Sequence, residues 1–528
     1  MKPVSSFTLI GTSPPRVDVP DKVDGSALYG IDVRLPDMLY AAIKQSPTFG
    51  GTVRAVDDGA AKRVAGYHST VALPDAVIAI ASSYWQARKA LDLVKIDFEP
   101  GRLAGLDSAR VSQKLHQGVQ QPGTPARQDG DAAAALSAAA SKLEAVYEVP
   151  YLAHACMEPM NCTARFDGKN GELWCSTQSP QAAQKAAAEV FGIAPERVTV
   201  HSMYLGGGFG RRGESDYAAQ AAAAAKAAGR PVKLVWSREE DIQHDFYRPA
   251  AAIRFRGGLD GAGKLVALDC AVATASTPGF ARGPRFYTEA IYDANYDIPN
   301  FHVSGVDQDL GVRFGFWRSV NDSHNPFMLE SFIDELAHQA GQDPYRFRRA
   351  LLLHERARRQ LAVLDLLAEK SGWDHPPAGH YLGIAALGAF GSYIGAVVEI
   401  SARDKLITLH RVVTAIDCGV AVHPDNIHAQ LEGGMVYGLT AALRGEITLD
   451  RGAVMQRNFD DYPMLRMAEM PRVDCYIVPS QEAPGGVGEP GTAPIAPALA
   501  NAIFAATGTR VRSLPLSKFG FSFAAQRA

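Results

Sequence analysis

Cysteine is scarce, six in 528 residues, and Cys156, Cys162, Cys175, Cys270, Cys418 and Cys475 stand far apart, with no C-x-x-C and no close-set Cys/His cluster. That spacing argues against an iron–sulfur or zinc site built by this chain, because such sites draw their ligands from short repeats. Electrons moving through the protein would leave by another polypeptide. Long apolar runs are missing too: none reaches the ~18 residues that span a bilayer. The opening MKPVSSFTLIGTSPPRVDVP has no charged stretch followed by an apolar one, so the chain reads as soluble, with no transmembrane segment and no export signal, and cytoplasmic by default. Neither sign of charge dominates, with 53 Lys and Arg against 56 Asp and Glu and a formal net charge of -3. This leaves no electrostatic footprint for nucleic acid or an anionic membrane, and makes small molecules or proteins the expected partners.

What is present is enough chain for two or more cores. From Asp24 to Glu99 the short segments LYGIDVRL, MLYAAIKQ, AVIAIA and LVKIDF alternate with turn residues and one helical stretch near Tyr84 to Leu93, the pattern of a small α+β unit. The biased run GVQQPGTPARQDGDAAAALSAAA suits a surface linker or draped arm, which sets a boundary near 141. Beyond it the pattern becomes strand, loop, helix, strand. Ser179 and Pro180 start a helix that Gly192 closes; DYAAQAAAAAKAAG is a helix ending at Gly229. Asn325, Pro326 and Gly341 bracket another, with Met328, Phe332 and Leu336 on one face. No solenoid repeat occurs.

Five places could carry chemistry. In LGGGFGRRG, residues Gly208, Gly210 and Gly213 satisfy G-x-G-x-x-G between a strand and a helix, which invites a dinucleotide reading; two arginines inside the motif and its position far from a domain start weigh against it. What survives is close approach of backbone to a flat or anionic ligand, with Phe209 as one aromatic face, or else a plain tight turn. Gln178, at a strand end before a capped helix, can offer donor and acceptor, although a lone loop glutamine is usually solvated. Arg318, in GFWRSVNDSHN, suits an anionic or carbonyl group, or an ion pair. Gln430 lies on a helix interrupted by Gly433 and Gly434, glycines that suit either a ligand or helix packing. Glu489 follows Gly485, Gly486 and Gly488 and precedes Pro490, Pro494 and Pro497, which delay the helix until just before PALANAIFAATG. An acid between a helix N-terminus and an apolar segment suits general-base work, or merely complements the helix dipole.

TQSPQAAQ, LGGGFGRR, FWRSVNDSHNPF, DCGVAVHPDNIHAQLEGGMVYGL, NFDDYPMLRM and GGVGEPGTAPIAPALANAIFAATGTRVRSLPL, in this order over nearly the whole chain, together resemble the large molybdenum-cofactor subunit of the xanthine oxidase family. The branch of isoquinoline 1-oxidoreductase and membrane-bound aldehyde dehydrogenase is the nearest in kind. The resemblance implies an α+β fold: an arm at 1–15, a hammerhead-type α/β domain at 16–140, and a larger molybdopterin-binding region at 141–528 split near 355. It implies that Gln178, Phe209 and Arg318 touch the molybdenum centre, that Gly207, Gly208 and Gly210 line the cofactor with Gly488, that Gln430 meets the pterin and that Glu489 is the catalytic base. The reaction implied is hydroxylation of an electron-poor carbon with water as oxygen donor. The cofactor would be molybdenum–molybdopterin in its cytosine dinucleotide form, its metal bound by the pterin dithiolene and by no side chain, with [2Fe-2S] clusters in a small partner subunit. Where xanthine dehydrogenases carry a substrate-contacting Glu, RRG follows here, and Tyr287 replaces a substrate-binding Arg, which disfavours purine and favours an aldehyde or N-heteroaromatic. The branch's M-G-Q-G segment is not found, which implies a separate polypeptide supplying it, a truncated chain, or an incomplete cofactor pocket. The segment that precedes this region in relatives often carries an export signal, so a periplasmic complex is also open. Two rivals from other classes stand beside this reading: a cofactor-free structural or assembly subunit, and an NAD-dependent dehydrogenase using GFGRRG.

Overall fold

The computed structural model describes residues 6–275 and 283–524; the first five residues of the expected arm lie outside them. Three sheets make the body. The first has seven strands in the spatial order Val198–Ser202, Gly171–Cys175, Asn161–Phe166, Val232–Val235, Leu39–Gln45, Ala76–Ala81 and Tyr67–Ala72. Ala76–Ala81 is an unbroken apolar run because it pairs on both edges and is buried throughout. On this sheet lie helices α1 (Pro180–Phe191) and α2 (Asp216–Ala228). Five buried alanines in α2, at 218, 221, 222, 224 and 225, keep its side chains short and let it approach the sheet closely.

The second sheet runs Thr124–Asp129, Asn300–Asp307, Leu265–Thr274, Ala251–Leu259 and Ser141–Val149. The third runs Tyr381–Ala389, Ser392–Arg403, Leu406–Asp417 and Arg472–Ile477, with Ser522–Phe523 beside Leu406–Asp417. One large core joins these two through helix α3 (Asn325–Gln339), whose Met328, Phe332 and Leu336 are all fully buried. Helices α4 (Pro424–Leu443) and α5 (Ile495–Thr507) complete the frame. At Gly383 a Cβ would sit 2.1 Å from the Ala498 carbonyl oxygen, so the third sheet and α5 meet backbone to backbone. Strands from before residue 141 belong to both of the first two sheets, whereas every strand of the third sheet comes after 355.

Two local expectations are corrected. The run GVQQPGTPARQDGDAAAALSAAA is not a draped arm: it contains the edge strand Thr124–Asp129 and the helix Ala132–Ala138, anchored by buried Ala126 and Leu136. Pro125 is tolerated because that strand pairs on one side only. LYGIDVRL holds a turn of 3-10 helix at Gly30–Asp32, not a strand; two of its backbone N–H groups go to side chains, Gly30 to Ser176 Oγ at 3.0 Å and Ile31 to Glu158 Oε1 at 3.0 Å.

Candidate active site

The strand Val198–Ser202 feeds the glycine loop, which is braced from behind. Arg212 is buried and donates to the carbonyls of Gly207 (2.7 Å), Ser176 (3.2 Å) and Glu158 (2.8 Å), while pairing with the Glu158 carboxylate at 2.9 Å. Arg211 is equally buried between Asp216 (2.8 Å) and Asp245 (3.1 Å). Both guanidiniums therefore serve the fold, and neither is free for the phosphates of a dinucleotide. The Gly208 carbonyl accepts from Arg211 N at 2.9 Å and from Cys156 Sγ at 3.4 Å. Gly210 has φ +114°, and a Cβ there would lie 1.6 Å from the Phe316 carbonyl oxygen. Only glycine permits this contact, which brings the loop against the segment around Arg318.

That segment is fixed by a buried relay. His154 places Nδ1 2.9 Å from Asp245 Oδ1 and Nε2 2.8 Å from the Phe316 carbonyl. Burial pushes the Asp245 carboxyl up, but His154 and Arg211 more than offset it and leave it below the usual carboxylate range. Trp317 donates Nε1 to Ala153 O at 3.1 Å. Its ring stacks on Tyr437 of α4 at 4.3 Å, and Tyr437 stacks on Phe209 at 4.5 Å, so an aromatic column ties the glycine loop to α4.

Arg318 and Ser319 then reach the acid. Arg318 donates Nε to Gly488 O at 3.0 Å and Nη2 to Gln430 Oε1 at 3.0 Å. Burial lowers the affinity of Arg318 for its proton, while Tyr437 and Glu489 act the other way. Ser319 donates its N–H to Glu489 Oε1 at 3.1 Å and its hydroxyl to the Glu489 carbonyl at 2.6 Å. This grip depends on left-handed backbone at two non-glycine residues, Ser319 with φ +76° and Val320 with φ +48°. Such strain, about 1–3 kcal/mol per residue, persists where surrounding contacts over-determine it. Glu489 is the cap of a 3-10 turn, Pro490–Thr492, and α5 begins at Ile495. The helix thus starts two residues before PALANAIFAATG, since Pro497 falls in the first turn, where no N–H is needed. The paired glycines of α4 divide their tasks. Gly434 packs on Gly491, where a Cβ would lie 2.8 Å from the Gly491 carbonyl carbon, whereas Gly433 is exposed and a Cβ there would lie 3.6 Å from Arg318 Nη1.

These contacts bring Gln178, Gly207, Gly208, Phe209, Gly210, Arg318, Gln430, Gly488 and Glu489 into one cluster. Gln178 belongs to it through its Oε1, which accepts from Gly210 N at 3.2 Å. Tyr287 stands apart: it is buried in the core with its ring tight against Gly305, while its neighbours Phe286 and Glu289 line a cavity beside the cluster. Reading the sequence missed Ser319, His154, Tyr437 and Asp322. The run RSVNDSHN, rich in small polar residues directly after two aromatics, was the available signal for Ser319 and Asp322; His154 and Tyr437 left none.

Between the glycine loop and α4 the walls are peptide groups, two side-chain amides and a guanidinium. A side chain at Gly488 would meet nothing within 4 Å, so the cleft is open there. No group of three His, Cys, Asp or Glu among the described residues could hold a metal ion. This donor set fits a pterin, whose ring nitrogens, carbonyls and phosphate match such partners and which brings its metal on its own dithiolene. Two models of molybdopterin cofactor-binding domains match the chain, over residues 115–352 and 367–471. The chain is 32 % identical to the isoquinoline 1-oxidoreductase subunit beta of Brevundimonas diminuta, over 98 % of this chain and 69 % of that protein. It is 31 % identical to a membrane-bound aldehyde dehydrogenase (pyrroloquinoline-quinone) of Gluconacetobacter polyoxogenes, over 98 % of this chain and 73 % of the other. In three dimensions it superposes on quinoline 2-oxidoreductase from Pseudomonas putida 86 with a TM-score of 0.83 at 14 % identity, covering 97 % of each chain. No helix among the described residues is long and apolar enough to cross a membrane. With motifs, fold, cleft and relatives in agreement, the chain belongs to the xanthine oxidase family of molybdenum hydroxylases, as a molybdopterin-binding large subunit with oxidoreductase activity.

Proposed function

We propose that this subunit oxidises an aldehyde or an N-heteroaromatic with water as the oxygen donor and Glu489 as general base. The substrate carbon exchanges a C–H bond for a C–O bond to water-derived oxygen, and two electrons and two protons are released. When bound, the molybdenum cofactor supplies Lewis acidity and takes up the two electrons. The rest falls to this chain. Ser319 engages Oε1 of Glu489, which leaves Oε2 to take a proton from the attacking water oxygen. Gln178 and Gln430 turn their carbonyl oxygens to Gly210 N and Arg318, leaving their NH₂ groups as donors toward the pterin. The hydrogen bonds of Arg318 use Nε and Nη2, so Nη1, on the side of exposed Gly433, is the donor left for a ligand. The observation that carries the reading is that one turn, Arg318–Ser319, grips both Gly488 and Glu489. Acid and cleft wall are therefore a single rigid unit.

The finer assignments belong to the same proposal. The pterin is the cytosine dinucleotide form, and the electrons pass to a small partner subunit carrying [2Fe-2S] clusters. In support, the isoquinoline relative is named as a subunit beta. Replacing Glu489 with Gln should leave molybdenum and pterin content intact while turnover falls ~10²-fold or more, the low end for a positioned base. Unchanged turnover would remove Glu489 from the reaction. A complete assembly that never acquires molybdenum would end the larger reading.

A further inference from the structure

A cavity of ≈ 370 Å³ is lined by Phe286, Phe316 and Phe390, by Glu289, Asp293 and Asp322, and by Val320, which follows the Ser319 that grips Glu489. It borders the site already described. Phe316 lies two residues before Arg318, and the Phe390 carbonyl accepts from Gly486 N at 2.8 Å, in the loop that carries Glu489. Asp322 sits in the 3-10 turn Val320–Ser323, just after the residue that grips Glu489.

Asp322 is the unusual member. It is only 9 % exposed, and its carboxyl takes part in none of the hydrogen bonds or ion pairs among the described residues. Burial pushes it well above the usual carboxylate range, and Asp293, Glu289 and Glu489 push it further. Among the described residues, every charged group that acts on it is thus another acid. Arg127 acts on Asp293, which lies at the exposed rim, and is itself occupied by Asp129 and two carbonyls. Glu289 accepts from Asn321 at 3.1 Å. An acid so largely enclosed, on the wall of a cavity and facing other acids, calls for a reason in function. Aromatic faces around carboxylates are the recurring means of receiving a cation, because ring quadrupole and negative charge attract it together.

We infer that this cavity receives the substrate and that Asp322 selects substrates bearing a positive charge, an ammonium or a quaternary nitrogen, on the side remote from the carbon that is oxidised. The inference rests on the reading of Glu489 as the base, because it places the reacting carbon at that end of the cavity. A cation entering here favours the ionised form of Asp322, whose proton leaves to solvent, and gains the attraction of that carboxylate beside the aromatic faces. An anionic substrate meets the opposite.

The test uses the assembled holoenzyme and two isosteric aldehydes, 4-(trimethylammonio)benzaldehyde and 4-tert-butylbenzaldehyde, read as the ratio of their kcat/KM values. This ratio does not depend on how much of a preparation is folded or loaded. Wild type should favour the cation at least tenfold, Asp322→Asn should bring the ratio close to one, and Asp293→Asn, at the exposed rim, should lower it severalfold. Titration calorimetry with the corresponding benzyl alcohols, cationic and neutral, gives a readout without turnover: tighter binding of the cation, lost in Asp322→Asn. If both aldehydes are oxidised without preference for the cation, or if neither substitution changes the ratio, the selectivity is refuted and the base remains. If neither aldehyde is oxidised but the cation still binds selectively, the reaction assigned above is at fault and the binding inference stands. If neither compound binds preferentially in calorimetry, the inference falls whatever the turnover.

Discussion

Gly210→Ala tests the architecture of the cleft at its tightest point. A methyl group there begins 1.6 Å from the Phe316 carbonyl oxygen, and side-chain carbons essentially never come nearer than 3.0 Å to such an atom. The carbonyl must therefore recede by more than an ångström, and the 2.8 Å hydrogen bond from His154 to it is lost. Alanine must also adopt φ +114°, which adds about 1–3 kcal/mol of backbone strain. Arg318 and Ser319 follow within three residues, so the shift reaches Gly488 and Glu489. A misplacement of ~1 Å at reacting groups costs about 10²-fold in rate. The expected outcome is a loss of that order in turnover per chain, with lowered molybdenum and pterin content and a lower denaturation midpoint. Gly213→Ala is the control in the same motif: its methyl meets nothing within 4 Å, and metal content, midpoint and turnover should stay within twofold of wild type. In a dinucleotide fingerprint the third glycine is required for helix packing, so the reverse order of damage would refute this reasoning.

Gly208→Val should deplete the cofactor, because a Cβ at 208 lies 2.7 Å from the Gln178 Oε1 that accepts from Gly210 N; full metal occupancy, measured by elemental analysis, would count against the pocket. Removing the buried guanidinium with Arg348→Met strands Glu330, 1 % exposed and bonded to Arg348 Nε at 2.8 Å. This should cost about 3–5 kcal/mol, read from guanidinium chloride unfolding. Asp245 has its folded pKa below the ordinary carboxylate value, so the stability it adds is present above ~pH 3.9 and disappears as pH falls through the folded value. Asp245→Asn should lower stability at neutral pH and flatten the acid side of the profile, measured as unfolding midpoints between pH 3 and 6. Ser319→Ala keeps the N–H to Glu489 but loses the hydroxyl bond to its carbonyl. Its net worth of ~1 kcal/mol corresponds to about fivefold in kcat at unchanged metal content.

Much of this was legible because local chemistry and global fold agreed. Pro180 with Gly192, Asp216 with Gly229 and Asn325 with its i+4 apolar series mark helices whose ends came within about two residues of expectation. Glu489 could be singled out because glycines and prolines leave its backbone few options. What could not be read depends on partners distant in sequence. Gly433 and Gly434 are identical neighbours, yet one faces the cleft and the other Gly491. Arg211 and Arg212 weighed against a dinucleotide site, but the partners that claim them, Asp216, Asp245 and Glu158, appear only in the fold. The left-handed turn at Ser319 and Val320 breaks the propensity of both residue types, and no pattern announces it. The alanine-rich stretch ahead of residue 141 misled because an edge strand tolerates proline and a short helix needs only two anchors.

The column Phe209–Tyr437–Trp317 has a consequence for how the protein matures. Its three rings come from the first half, the middle and the last quarter of the polypeptide, and Glu489 arrives later still. A nascent or clipped chain lacking its C-terminal quarter has no place to receive a cofactor, so loading must follow completion of the whole molecule. Once seated, a ligand clasped by all these parts would act as a rivet, and the loaded protein should resist proteolysis far longer than the empty one.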